Sequence, residues 1–105
     1  MNRLWLLRHA KSDWDTGEAD FDRPLKKRGR KSADCLGSRL AECGQRPELI
    51  LTSPAARAVE TVRRLCSAAG WPMDAVLDDQ RLYGADVDTF RTVLADRSGE
   101  VGHVM

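Results

Sequence analysis

Leu4-Trp5-Leu6-Leu7-Arg8-His9-Ala10-Lys11-Ser12 is the stretch from which the fold is read. An apolar run without polar interruption ends abruptly in an arginine and a histidine. A run of this kind suits a strand buried on both faces of a parallel sheet. In open α/β sheets the ligand lies outside the carboxyl ends of the strands. A strand over Leu4–Leu7 therefore delivers Arg8 and His9 to the rim where such a sheet does chemistry.

Outward from this stretch, residues 13–23 are rich in Asp, Gly and Glu, with Trp14 and Phe21 as the bulky members. Two aromatics are costly to leave in water, so the segment reads as an ordered loop and a wall of the site. Pro24 opens a helix whose apolar face is Leu25, Ala33, Leu36, Leu40 and Cys43. Gly29 and Gly37 weaken that helix locally, and Gly44 suits its end. Leu49-Ile50-Leu51 is a second strand. It runs into Thr52-Ser53-Pro54, with Ser53 as N-cap and Pro54 as first helical residue. Ala55, Ala58, Val59, Val62, Leu65, Cys66 and Ala69 recur at helical spacing until Gly70 and Pro72. Ala75-Val76-Leu77 is a third strand, followed by Asp78-Asp79 and a turn at Tyr83-Gly84. Val87, Phe90, Val93 and Leu94 form the apolar face of a third helix, closed by Ser98-Gly99.

The β-α-β-α-β-α order predicts a parallel sheet covered by helices, with right-handed crossovers. Val104-Met105 reads as the beginning of a further strand. Doubly wound sheets carry one or two more units than this. The expectation is one domain over residues 1–105, incomplete on its C-terminal side, with final strands and a helix missing.

Composition bounds the function. Of 105 residues, 42% are apolar and 31% charged, which suits a soluble globular domain rather than a disordered chain. The formal net charge of +1 generates no global field for nucleic acid or membrane binding. The basic segment from Arg23 to Lys31 reads as a solvated helix start rather than a docking patch. Cys35, Cys43 and Cys66 lack CxxC spacing and only two histidines accompany them, which argues against zinc and for small core residues. Their number, with no signal peptide in view, points to a reducing cytoplasm.

Two strand ends bring polar groups to one rim: Arg8 and His9 from the first, Ser53 and Arg57 from the second. Two guanidinium groups beside a helix N-terminus make an anion site, each able to grip phosphate oxygens in a fork. A neutral imidazole among them can attack phosphorus and form a phosphohistidine. The arginines then stabilise charge on the transferring phosphoryl group.

Leu7-Arg8-His9-Ala10-Lys11-Ser12 with Trp14 resembles the signature of the histidine phosphatase (phosphoglycerate mutase-like) superfamily, especially its small SixA-like phosphohistidine phosphatase branch. The resemblance continues through Asp20-Phe21-Asp22-Arg23-Pro24-Leu25 with Arg28-Gly29. It includes Thr52-Ser53-Pro54-Ala55-Ala56-Arg57-Ala58 with Thr61, and Leu82-Tyr83-Gly84. It implies a three-layer α/β/α fold with a mainly parallel sheet, His9 as phosphoryl-accepting nucleophile, and Arg8 and Arg57 as phosphate-binding residues. It implies no metal or other cofactor, and as partner a protein phosphohistidine or a small phosphate ester. The absence of any large insertion favours an open site over a mutase pocket.

The family also completes its pocket with a second histidine, in a Gly-His-Asn-Pro segment at the end of a later strand. His103, in Val101-Gly102-His103-Val104-Met105, is the other histidine available. Too few apolar residues precede it to carry it to the carboxyl rim, so the expectation places it at the amino end of its strand. The true partner of His9 is then expected beyond Met105. Asp13, Asp78 and Asp79 lie near predicted strand ends as candidates for a general acid, which the sequence leaves unassigned. The alternative function is a phosphate-binding module without turnover.

Overall fold

A computed structural model describes residues 3–14, 16–99 and 101–105. Its regular elements are β1 (Arg3–Leu4), α1 (Lys27–Glu42), β2 (Ile50–Thr52), α2 (Ala56–Ala69), β3 (Val76–Asp78), α3 (Val87–Ser98) and β4 (His103–Val104). Glu100, expected in the turn before the last strand, lies outside the described residues, as does Asp15 of the loop after β1.

Backbone hydrogen bonds order the strands. β1 pairs parallel with β4, aligning Arg3 with His103 and Leu4 with Val104. β2 pairs parallel with β3, from Ile50 opposite Val76 to Thr52 opposite Asp78. A parallel bridge joins Leu49 to Val104, and Met105 donates to Leu49 O while its carbonyl accepts from Leu51 N. The order across the sheet is therefore β1-β4-β2-β3, with the C-terminal residues inside the sheet.

That order decides the layers. The connections through α1 and α2 both run from β1 towards β3, whereas the connection through α3 runs back to β4. Right-handed crossovers in opposite directions put α3 on the face opposite α1 and α2. The result is the three-layer α/β/α arrangement expected from the sequence. On the α1–α2 face, Val62, Leu65 and Cys66 of α2 pack on Ile50 and Met105, with Leu36, Leu40, Trp5, Trp71 and Val76 around them.

The two glycines of α1 have a role that helix propensity hides. Gly29, Ala33 and Gly37 form a buried stripe of small residues four apart. A Cβ on Gly29 would overlap the Lys11 carbonyl, and one on Gly37 would overlap the Leu65 carbonyl. Here glycine permits close packing of backbone on backbone, which outweighs its cost to the helix.

Several expectations need correction. The strand over Leu4–Leu7 is paired only at its start, and Leu6 is 75% exposed. Its neighbour β4 pairs with it only near residues 3–5, and among the described residues no strand pairs with the residues that follow. Ser53 does not cap α2. Its hydroxyl accepts from Ala55 N (3.2 Å) in the turn before the helix, and Ala55 is the N-cap. Cys35 and Cys43 are exposed rather than core residues, and only Cys66 is buried. On α3, Val93 is buried whereas Val87 and Phe90 are exposed, so the apolar face is narrower than the sequence periodicity suggests.

Candidate active site

The carboxyl ends of β1 and β2 flank a cleft of about 510 Å³. Leu6, Leu7, Arg8 and His9 line one side, Leu51, Thr52 and Ser53 the other, with Met105 between them. Thr61 and Val62 of α2 and Phe90 and Val93 of α3 contribute the two helical faces. Arg8 and His9 thus occupy the rim inferred from the sequence.

His9 is oriented by its own main chain. Its Nδ1 lies 2.8 Å from the Ala10 carbonyl oxygen. A carbonyl can only accept, so Nδ1 carries the proton and the neutral ring keeps its lone pair on Nε2. The next peptide is anchored to α2: Ala10 N donates to Thr61 Oγ1 (3.1 Å), whose hydroxyl donates to the Arg57 carbonyl (2.7 Å). One threonine therefore couples the residue after His9 to the first turn of the helix that bears Arg57.

The Arg57 side chain, only 15% exposed, turns towards the loop after β1. Its Nη1 donates to the Asp20 carbonyl (2.7 Å) and its Nη2 to Asp20 Oδ2 (3.3 Å). The guanidinium carbon also stands 5.9 Å from the Tyr83 ring centroid, within cation–π range. Arg57 shares no described contact with Arg8 or His9. The link between the two halves of the predicted site runs through Thr61 and the main chain.

Asp20 gathers three segments of the chain. Tyr83 Oη donates to Oδ2 at 2.5 Å, and Arg23 donates to Oδ1 from Nε (3.3 Å) and Nη2 (3.2 Å). The Tyr83 hydroxyl, followed by Arg23 and Arg57, holds the Asp20 carboxyl below the usual carboxylate range, and Asp20 in turn pushes the Tyr83 phenol up. Phe21 meets Tyr83 edge-to-face with ring centroids 5.2 Å apart. Arg23 is buried, donates from Nη1 to Ser12 Oγ (2.7 Å) and stacks 3.4 Å from the Trp14 ring centroid. Both aromatics of this loop have ring partners, although Trp14 remains 68% exposed with one face covered by the guanidinium. Asp20, Arg23 and Tyr83 stood in recognisable sequence segments, but nothing local assigned them to this network.

The carboxylate candidates separate by their surroundings. Asp79 accepts from Arg81 (Nε 3.0 Å, Nη2 2.8 Å) and from Arg97 Nε (3.0 Å). These bonds, Arg81 first, hold its carboxyl far below the usual range, so it is a structural anion tying the 80–82 turn to α3 and not a proton donor. Among the described residues no group of three or more His, Cys, Asp or Glu side chains could hold a metal ion, and no helix is long and apolar enough to cross a membrane.

His103 lies apart from the rim. It aligns with Arg3, and an extended run of the six residues from there to His9 spans about 20 Å. The residue is 7% exposed; its ring packs edge-on to Trp5 with centroids 4.3 Å apart and leaves Nε2 buried without a partner among the described residues.

The α/β sheet thus carries an Arg-His pair after one strand and an arginine in the first turn of the helix that follows another. The chain belongs to the histidine phosphatase superfamily (branch 1), whose family model matches residues 4–89. It is similar to a candidate phosphohistidine phosphatase, SixA, from Agrobacterium tumefaciens, with 36% identity and a TM-score of 0.87 over 99% of this chain and 66% of that one. A SixA structure from Nakamurella multipartita has 30% identity and a TM-score of 0.77, over 98% of this chain and 56% of that one. A 2,3-bisphosphoglycerate-dependent phosphoglycerate mutase from Thermobifida fusca is 39% identical over 94 residues. A chloroplastic protein of Arabidopsis thaliana is 42% identical over 74 residues. These matches cover 81% and 70% of this chain but only 37% and 34% of those relatives.

Proposed function

We propose that this protein is a metal-independent phosphatase acting through a phosphohistidine intermediate on protein phosphohistidine or a small phosphate ester. The observation that supports this reading is the 2.8 Å contact from His9 Nδ1 to the Ala10 carbonyl, which leaves the Nε2 lone pair of a residue lining the cleft available for attack. The kinship with SixA proteins supports phosphohistidine as substrate class. In the first step the Nε2 lone pair forms a bond to phosphorus while the bond to the leaving nitrogen or oxygen breaks. That group leaves with the electron pair and takes a proton from water. In the second step water attacks the phosphorus, inorganic phosphate departs, and Nε2 regains its lone pair. Arg8 and Arg57 offset the charge on the phosphoryl oxygens.

The experiment is trapping. Protein quenched during turnover of a labelled phosphoramidate should carry acid-labile phosphate on His9, and His9→Ala should carry none. Label retained in His9→Ala, or turnover without any trapped label under rapid quench, overturns the mechanism.

The position of His103 favours a second reading, a phosphate-binding module without turnover. No second imidazole reaches the rim among the described residues, so an anion would be held by the arginines and His9 without one. Saturable phosphate binding with no hydrolysis of the phosphoramidate would select it.

A further inference from the structure

We propose that Asp20, braced by Tyr83, is the positioning residue for Arg57, presenting its guanidinium to the phosphoryl group. The proposal rests on the reading of Arg57 as a phosphate-binding residue and adds to it. Arginine has five N–H donors in a rigid fork. Two are taken by Asp20, one by its main-chain oxygen at 2.7 Å and one by Oδ2 at 3.3 Å. The other donors are not engaged by Asp20. A guanidinium held at two points loses less freedom when it binds phosphate than one swinging on a free side chain. Tyr83 contributes twice, by its hydroxyl bond to Oδ2 at 2.5 Å and by its ring beneath the guanidinium.

The carboxylate cannot be replaced by an amide without loss. Oδ1 is used by Arg23, and Oδ2 by Tyr83 and Arg57. An asparagine has one oxygen, so its NH2 group must face a donor on one side or the other. Asp20→Asn therefore unseats either Arg23 or the Tyr83–Arg57 pair while leaving volume unchanged.

The test measures inorganic phosphate affinity by calorimetry, and kcat and KM on a phosphoramidate, with thermal unfolding as a check on folding. Asp20→Asn and Tyr83→Phe should each weaken phosphate by about tenfold, the scale of one charged hydrogen bond, and raise KM more than they lower kcat. In an Arg57→Lys background, Asp20→Asn should add less than twofold, because its effect passes through the arginine. Asp20→Glu should recover part of the loss. Full additivity with Arg57→Lys, unchanged affinity, or tighter binding in Asp20→Asn overturns the positioning role. Absent phosphate binding in the unsubstituted protein, or an Arg57→Lys variant that binds as well, instead refutes the phosphate site itself.

Discussion

Gly29→Ala reverses the usual sign of a helix substitution. In a free helix interior the change stabilises by about 1 kcal/mol through propensity. In α1 the added Cβ overlaps the Lys11 carbonyl oxygen and lies 2.9 Å from Lys11 N and 3.0 Å from its carbonyl carbon. All three are backbone atoms, and the segment is pinned by Lys26 N donating to Lys11 O (2.8 Å) and by the Ser12–Leu25 bridge. Overpacking of this kind costs about 1–3 kcal/mol, and a contact against pinned backbone belongs at the upper end. Less the propensity gain, the net loss is about 1–2 kcal/mol, roughly 5–10 °C in Tm for a chain of this size. The assay is thermal unfolding followed by circular dichroism at pH 7. Ser38→Ala, exposed on the same helix, serves as a control that loses no stability. Gly37→Ala should fall comparably, since its Cβ meets the Leu65 carbonyl and stands 3.0 Å from Ala68 Cβ. Only Gly29→Ala should also weaken phosphate binding in the folded state, because Lys11 is two residues beyond His9. A Tm equal to or above that of the unsubstituted protein in Gly29→Ala would refute the close-packing argument.

Three further outcomes are expected. His103→Leu should leave phosphate affinity unchanged and stability equal or up to about 1 kcal/mol higher, because it removes a buried unpaired Nε2. Loss of binding as severe as in His9→Ala would return His103 to the site. Asp79 has a folded-state carboxyl pKa below its unfolded value, so its contribution is present above about pH 4 and fades as pH falls below that. Chemical unfolding across pH 2–7 should show Asp79→Asn less stable at neutral pH and converging on the unsubstituted protein in acid; a constant gap would count against it. Leu65→Ala, at a fully buried site between α2 and the sheet, should cost about 2–5 kcal/mol in denaturant unfolding, and a loss under 1 kcal/mol would mean the core there is loose.

By itself the sequence determined the alternation of strands and helices, the parallel class of the sheet and the rim carrying Arg8 and His9. These follow from local patterns: an apolar run, a 3.6-residue period, and proline and glycine at element ends. The placement of His103 at the amino end of its strand was also legible, because it depends only on counting apolar residues before it. Tertiary structure decided what depends on contacts between distant residues. Gly29 and Gly37 looked like weak points until the carbonyls they admit were in place. Leu6 looked buried until its neighbouring strand was seen to pair only near the strand's start. Arg57 looked free to meet an anion, yet it is held by Asp20, 37 positions away. Tyr83, 63 positions from Asp20, completes that hold. Periodicity reports which way a residue faces along its own element, and such partners become visible only when the elements are packed together.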